Sequence, residues 1–153
     1  MKDHECIRVA IVDDNEMLRT GLSLFLHAFD DLELVGTASD GAEVFRLCEE
    51  THPDVVLMDL VMPGMNGVSA THAIRQAYPQ IQVILLTSFD DQDLAGDALA
   101  NGAVGCLLKN VSIDEMASAI RAAKAISHVE VIQCDRAATP AETLDKMVAI
   151  QVE

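Results

Sequence analysis

Short runs of Val, Ile and Leu alternate along the chain with longer segments in which apolar residues recur at helical spacing. Each short run is almost continuously apolar, which indicates a strand buried on both faces, as in a parallel sheet. Five such strands are predicted, at residues 7–13, 32–38, 55–58, 83–87 and 104–108. The longer segments predict helices that cover the sheet. The pattern therefore predicts an α/β protein whose parallel sheet lies between two layers of helices.

Signals at the helix ends support this reading. The first connection carries apolar residues at helical spacing: Leu18, Leu22, Phe25, Leu26 and Phe29. Two pairs of residues have the capping-box spacing that is typical of a helix start: Asp40 with Glu43, and Ser112 with Glu115. Asn101-Gly102 predicts a helix end in the connection after the fourth strand. The last helix is therefore expected to begin near Ser112 and to end near residue 125.

The 153 residues suit one domain with a sizeable core. The strand and helix pattern covers residues 7–125, which leaves an N-terminal extension at 1–6 and a tail at 126–153. The tail is too short for a typical independent domain, so we interpret it as a linker or an appended short helix that starts near Thr139. No apolar run approaches the ~20 residues that a membrane-spanning helix needs, and no signal peptide is visible. A cytoplasmic protein without membrane contact is predicted.

The charge of the chain argues against DNA binding, and the spacing of its Cys and His residues argues against a zinc site. The chain has 25 acidic and 10 basic residues, a formal net charge of −15. This charge repels a phosphate backbone, so the chain alone is not expected to bind DNA. Its four Cys and five His are dispersed without a zinc-like spacing.

Polar residues follow four of the five predicted strands. Asp13 and Asp14 end the first, Asp59 the third, Thr87 the fourth and Lys109 the fifth. In an open parallel sheet, ligands bind beyond the carboxyl ends of the strands. We therefore expect these side chains to converge at one edge.

The chemistry follows from three carboxylates in one place. Asp13, Asp14 and Asp59 would repel one another unless a cation lay among them, and oxygen ligands of this kind suit Mg²⁺. A carboxylate can also act as a nucleophile toward a phosphoryl group, while a metal ion and a lysine neutralise the transferred charge. Singly, each residue has an ordinary structural explanation, such as a turn for Asp13-Asp14 or β-propensity for Thr87. Their joint placement favours Asp59 as a phosphoacceptor.

The motifs around these residues resemble those of response-regulator receiver domains over about residues 7–125. The matching segments are Val12-Asp13-Asp14-Asn15, Asp59-Leu60-Val61-Met62-Pro63-Gly64-Met65-Asn66-Gly67, Thr87 and Gly105-Cys106-Leu107-Leu108-Lys109. The last segment and the Asn110 that follows it look most like the LuxR-like class, whose receivers precede a helix-turn-helix DNA-binding domain. The resemblance implies the flavodoxin-like (βα)5 three-layer sandwich, with strand order 2-1-3-4-5.

The resemblance also implies a Mg²⁺ site. Asp14 would be a direct ligand, Asp13 would act through water, and Asp59 would bind the metal as well as accept the phosphoryl group. The backbone carbonyl of Val61 would complete the protein ligands.

Further roles implied by the resemblance concern the phosphoryl group and the partners. Thr87 and Lys109 would contact the phosphoryl oxygens, while Pro63, Gly64 and Gly67 would shape the loop after the acceptor. A sensor histidine kinase would be the donor, and homodimerisation on phosphorylation is left open. The output would be transcription regulation through a DNA-binding domain that this chain does not contain.

Two positions depart from the family pattern. Cys106 stands where many receivers have an aromatic switch residue, and Asn110 replaces a common proline, which excludes a cis X-Pro bond there. The first departure keeps open an interaction module that works without phosphorylation.

Two other functions fit less well. A haloacid dehalogenase-like phosphohydrolase would need a DxD pair on the first strand, where this chain has Asp13-Asp14-Asn15. An FMN carrier would need a Ser/Thr/Gly-rich first loop and aromatic residues to stack on the flavin, but the chain has one Tyr and no Trp.

Overall fold

The computed structural model describes residues 6–62, 67–88, 96–97 and 99–126. Its strands are β1 Ile7–Val12, β2 Leu32–Ala38, β3 Val55–Asp59, β4 Gln82–Thr87 and β5 Gly105–Leu108. Its bounded helices are α1 Glu16–Leu26, α2 Gly41–Thr51, α3 Gly67–Ala77 and, as numbered here, α4 Ile113–Ile126. Residues 96–97 and 99–100 are also helical. The predicted strand bounds agree with these to within one residue.

The five strands form one parallel sheet in the order β2-β1-β3-β4-β5, which confirms the predicted flavodoxin-like topology. Alternate residues of each strand point to opposite faces, because successive side chains of a strand alternate. Val56 and Met58 face a core that includes Val44 of α2 and Ile74 of α3. Val55 and Leu57 face a core made with α1 and α4. Burial on both faces explains the continuous apolarity of the strands.

The register of the sheet brings the strand ends level. Val12 of β1 pairs with Met58 of β3, so Asp13 and Asp59 follow as direct neighbours. Thr87 of β4 pairs with Leu108 of β5, which places Lys109 one residue further along the same edge. Side chains that are far apart in sequence therefore share one edge of the sheet.

The predicted helix starts are confirmed at both α2 and α4, although the capping box has both of its reciprocal bonds only at α4. The Glu115 N–H donates to Ser112 Oγ, and the Ser112 N–H donates to Glu115 Oε1, each at 3.1 Å. At α2 the Glu43 N–H donates to Asp40 Oδ1, but the reciprocal bond to the Glu43 carboxylate comes from the Ser39 N–H. At α2 the Glu43 carboxylate therefore caps the backbone of Ser39, one residue before the N-cap Asp40.

The helix end at Gly102 is confirmed, whereas the predicted position of Phe29 in the first helix is wrong. Gly102 has φ +114°, a left-handed value that favours glycine, and its N–H donates to Leu99 O. Helix α1 ends at Leu26, and Phe29 lies in the following turn. There its ring packs edge-on against Phe25 with centroids 6.1 Å apart, so it continues the apolar face without continuing the helix.

Some predictions fall outside the described residues. These are the loop at Pro63 and Gly64, the N-terminal extension except for Cys6, and the tail beyond residue 126 with its predicted helix. No peptide bond within the described ranges is cis. None of the helices in those ranges combines the length and apolarity needed to cross a membrane.

Gly67 packs directly on the end of β3. A Cβ at this position would lie 2.8 Å from both Leu60 Cα and Leu60 O, and 3.1 Å from Asp59 O. The Gly67 N–H also donates to Leu60 O at 2.7 Å, which joins the start of α3 to the strand end. The close approach is possible because glycine has no side chain.

We expect Gly67→Ala to lower the free energy of unfolding by about 1–3 kcal/mol, because the added methyl group would meet backbone atoms that have no alternative rotamer. Urea unfolding measures this change. The matched control is Gly21→Ala in α1, where an added Cβ would meet nothing within 4 Å. This control should stabilise the helix by roughly 0.5–1 kcal/mol. Equal stability of the Gly67 variant and the wild type would contradict the proposed contact.

Candidate functional site

The corner between β1 and α1 holds the first two predicted site residues. Asp13 is fully buried, whereas Asp14 is exposed. Asp13 Oδ1 accepts a hydrogen bond from the Asn15 N–H at 2.8 Å. Asp13 Oδ2 is buried and has no hydrogen-bond partner among the described residues. A buried carboxylate oxygen without a partner is costly, so a ligand with positive charge would be favoured there.

The end of β3 supplies the central carboxylate. Asp59 is 4% exposed, and its Oδ1 lies 3.2 Å from Lys109 Nζ, which reaches across from the end of β5. The Val61 N–H donates to the same oxygen at 3.3 Å. The Lys109 side chain is 37% exposed and the Asp59 side chain 6% exposed, so their ion pair is only partly screened by water.

The three carboxylates form one cluster. Asp13, Asp14 and Asp59 each contribute an oxygen, and these oxygens all lie within 4.8 Å of one another. Burial raises the pKa of Asp59, and the neighbouring charge of Asp13 raises it further, against the lowering effect of Lys109. Burial likewise raises the pKa of Asp13. Burial therefore disfavours the ionised form of both carboxylates, and at Asp59 the neighbouring charge of Asp13 adds to this effect.

The cluster fits the Mg²⁺ predicted from the sequence. The donors are carboxylate oxygens, the type that a hard divalent cation prefers. Asp13 Oδ2, which is buried and has no hydrogen-bond partner among the described residues, would be stabilised by a positive charge. Val61, whose backbone carbonyl was predicted as a further ligand, lies two residues beyond Asp59 and is half-exposed.

Thr87 lies at the same edge, at the end of β4. It is buried, and its hydroxyl donates to Ser88 O at 3.0 Å. Its backbone carbonyl accepts the Lys109 N–H at 2.9 Å, which joins the ends of β4 and β5. All five predicted side chains, from Asp13, Asp14, Asp59, Thr87 and Lys109, therefore belong to one edge of the sheet.

Two residues at this edge were missed by the sequence reasoning. Asn15 is the N-cap of α1, and its Oδ1 accepts the Leu18 N–H at 3.2 Å. Arg19, one turn further, donates from Nη1 to the backbone carbonyl of Asp13 at 2.6 Å. Asn15 could have been found, because Asn directly before a helical segment is a preferred N-cap. Nothing in the sequence points to the bond made by Arg19.

Cys106, the departure from the aromatic pattern, is buried in the core on the side of α2 and α3. It pairs in register with Leu85 of β4 and shares that core with Leu99 and Ala103. The small side chain is part of the packed interior beneath the edge that carries Thr87.

The doubly covered parallel sheet, with an acidic cluster and a lysine at its carboxyl edge, defines a signalling domain of the receiver class. The chain belongs to the response regulator receiver domain family, whose sequence profile matches residues 9–121. This match confirms the family that the motifs predicted.

Two curated regulators are similar to this chain over the same region. The chain is 50% identical over 117 residues to the transcriptional regulatory protein LiaR of Bacillus subtilis (strain 168), covering 76% of this chain and 56% of LiaR. It is 41% identical over 116 residues to the oxygen regulatory protein NreC of Staphylococcus aureus (strain JH9), covering 75% and 54%. The chain thus spans about half the length of these relatives.

Solved structures show the same fold, and one of them confirms the LuxR-like class. A LuxR-family two-component response regulator from Aurantimonas sp. SI85-9A1 superimposes with a TM-score of 0.75 at 30% identity, covering 97% of this chain and 100% of that chain. The receiver domain of the putative response regulator NarL from Mycobacterium tuberculosis gives a TM-score of 0.72 at 32% identity, covering 82% and 99%.

We expect Asp13→Asn to stabilise the metal-free protein at pH 7. The folded-state pKa of Asp13 is raised above its ordinary value of 3.8, so the stability that Asp13 contributes is complete below that value and is lost as the pH rises through the folded-state pKa. Asparagine removes this loss, which we place at roughly 1–3 kcal/mol, the cost of an unsatisfied buried polar group.

Urea unfolding in EDTA at pH 7 and at pH 3.5 measures the effect, which should shrink at the lower pH. Asp14→Asn is the matched control, because Asp14 is exposed and its variant should change stability little. A less stable Asp13→Asn protein at pH 7 would show that the buried charge does not strain the fold.

Proposed function

We propose that this chain accepts a phosphoryl group on Asp59 from a sensor histidine kinase, in a Mg²⁺-dependent reaction of two-component signalling. The observation that carries this proposal is the Asp59 carboxylate, held 3.2 Å from Lys109 and clustered with Asp13 and Asp14. This arrangement combines a carboxylate nucleophile with groups that neutralise the charge of a phosphoryl donor.

In the proposed reaction, an Asp59 oxygen forms a bond to phosphorus while the bond between phosphorus and the donor histidine nitrogen breaks. The nitrogen keeps the electron pair of the broken bond. Bound Mg²⁺ would neutralise charge on the transferred group, and Asp14, Asp59, the Val61 carbonyl and, through water, Asp13 would hold it. Formation of the acyl phosphate removes the charge of Asp59, so Lys109 can then pair with the phosphoryl oxygens. The Thr87 hydroxyl, at the same edge, would donate to another of these oxygens.

The mixed anhydride that results is a signal and not the product of an enzyme cycle. The same groups would assist its formation and its hydrolysis, which fits a signalling domain that contributes to its own phosphorylation and dephosphorylation. Phosphorylation would change the charge at the edge formed by Thr87 and Lys109 and so alter an output surface.

We further propose that the receiver domain spans residues 7–125, between the short extension at 1–6 and a tail at 126–153 that serves as a linker or appended helix. The LuxR-like relatives are about twice as long as the matched region. Transcription regulation would therefore be carried by a DNA-binding domain outside this chain. The protein would act in the cytoplasm, with the kinase as partner and a homodimer as a further state after phosphorylation.

The second candidate function is a receiver-fold interaction module that works without phosphorylation. It is favoured by one observation: the position of the usual aromatic switch is occupied by Cys106, which is buried in the core. A phosphorylation assay separates the two functions.

Incubation with acetyl phosphate and Mg²⁺ is expected to add one phosphoryl group, and Asp59→Asn should abolish the addition, because the amide lacks the nucleophilic oxygen. Intact-mass spectrometry measures both. Asp54→Asn is the matched control, since Asp54 also pairs with a lysine, Lys124 at 3.0 Å, but precedes β3 at the opposite edge of the sheet. An unmodified wild-type chain would favour the interaction module instead, and a modified Asp59→Asn chain would show that another residue is the acceptor.

We expect no retention of this chain on duplex DNA at physiological salt, before or after treatment with acetyl phosphate. Its net charge of −15 opposes the phosphate backbone, and phosphorylation adds further negative charge. An electrophoretic mobility assay with mixed-sequence DNA tests this expectation. Salt-sensitive retention would contradict this expectation and show that this chain itself binds DNA.

A further inference from the structure

Arg19 of α1 reaches back from the helix to the corner that carries two of the acidic residues. Its Nη1 donates to the backbone carbonyl oxygen of Asp13 at 2.6 Å, from a half-buried position. The same corner is held by the Asp13 N–H, which donates to Ala38 O at 3.0 Å, and by the Asn15 N–H, which donates to Asp13 Oδ1 at 2.8 Å. The phosphoacceptor chemistry described above assigns Arg19 no role.

The carbonyl that Arg19 holds belongs to the peptide unit between Asp13 and Asp14. A peptide unit is planar, so fixing its carbonyl oxygen also fixes the direction in which the Asp14 backbone leaves it. The Asp14 carboxylate is exposed, and in the described ranges no hydrogen bond reaches it. Its place beside Asp13 and Asp59 is therefore set by the backbone that Arg19 holds.

We propose that Arg19 is a positioning residue of the divalent-cation site, which orients the peptide between Asp13 and Asp14 so that the carboxylates converge. The inference rests on the Mg²⁺ site of the proposed function. Groups that orient metal ligands without touching the metal strongly affect metal affinity. Arg19 would act in this way through a backbone carbonyl.

The direction in which the Mg²⁺ affinity changes when Arg19 is replaced shows whether Arg19 acts through its position or through its charge. Arg19 is a cation close to a site for another cation, so its charge alone opposes Mg²⁺ binding. If charge were its main influence, a neutral substitute would bind Mg²⁺ more tightly. If positioning dominates, the neutral substitute binds Mg²⁺ more weakly, although the electrostatic change favours the metal.

The test is isothermal titration calorimetry with Mg²⁺ alone, at constant ionic strength and without a phosphoryl donor. We expect Arg19→Met to raise the Kd for Mg²⁺ by about tenfold, as for the loss of other groups that orient metal ligands. The midpoint of thermal unfolding in EDTA, measured in parallel, reports any general loss of stability. A purely structural role would lower that midpoint without changing the Mg²⁺ affinity of the folded protein.

Two further variants complete the design. Arg121→Met removes the same charge from α4, where Arg121 pairs with Asp31 at 2.8 Å, and should leave the Kd unchanged. Arg19→Lys keeps the charge and one donor group but loses the reach and geometry of the guanidinium, so a smaller increase in Kd is expected. It also serves as the test if Arg19→Met does not fold.

The outcomes are distinguishable. If the wild-type chain binds no Mg²⁺, the proposed function fails together with this inference. If the wild type and Arg121→Met bind Mg²⁺ but Arg19→Met binds equally or more tightly, only the role of Arg19 is overturned. An unchanged Kd in Arg19→Lys, where Arg19→Met is unfolded, overturns it as well.

Discussion

The mutual repulsion of the Asp13 and Asp59 carboxylates is the constraint around which the carboxyl edge of the sheet is organised. Both are almost completely buried, and they lie side by side because β1 and β3 are neighbours with Val12 paired to Met58. Burial raises the pKa of both groups, and the neighbouring charge of Asp13 raises the pKa of Asp59 further. The protein offsets this cost in part with Lys109, which pairs with Asp59, and with the Asn15 N–H, which donates to Asp13. Within the described residues Asp13 Oδ2 has no hydrogen-bond partner, and a divalent cation would supply the charge that it lacks there.

The rest of the sheet is well packed, and its stability offsets the cost of the buried carboxylates. Two apolar cores cover its faces, and β3 and β4 at its centre are buried along their whole length. At the amino ends of the strands, by contrast, the charged groups are paired with one another. Asp54 accepts the Arg8 N–H at 2.9 Å and pairs with Lys124 of α4 at 3.0 Å. Paired charges there stabilise the fold, whereas the unbalanced charges at the carboxyl edge are available for function.

Cys106 and Arg19 lie close to the acidic cluster without belonging to it. Cys106 fills with a small apolar side chain a core position that lies beneath Thr87, so any movement coupled to phosphorylation has to use groups other than an aromatic ring there. Arg19 holds backbone and not a carboxylate, which leaves the oxygens of Asp13 and Asp14 available for a ligand.

Much of this structure was readable from the amino-acid sequence. Continuous apolar runs predicted the parallel sheet, and residues at the strand ends predicted Asp13, Asp14, Asp59, Thr87 and Lys109 as one group, because parallel strands end at a common edge. The length of the first helix was overestimated at Phe29. This residue continues the apolar spacing and packs against the core, but it lies in the turn after the helix. The Asp59–Lys109 distance, the orphaned oxygen of Asp13 and the contact of Arg19 with a carbonyl could not be read from sequence patterns. These features depend on the register of the strands and on contacts between side chains of separate elements. Neither produces a periodic pattern in the local sequence from which it could be predicted.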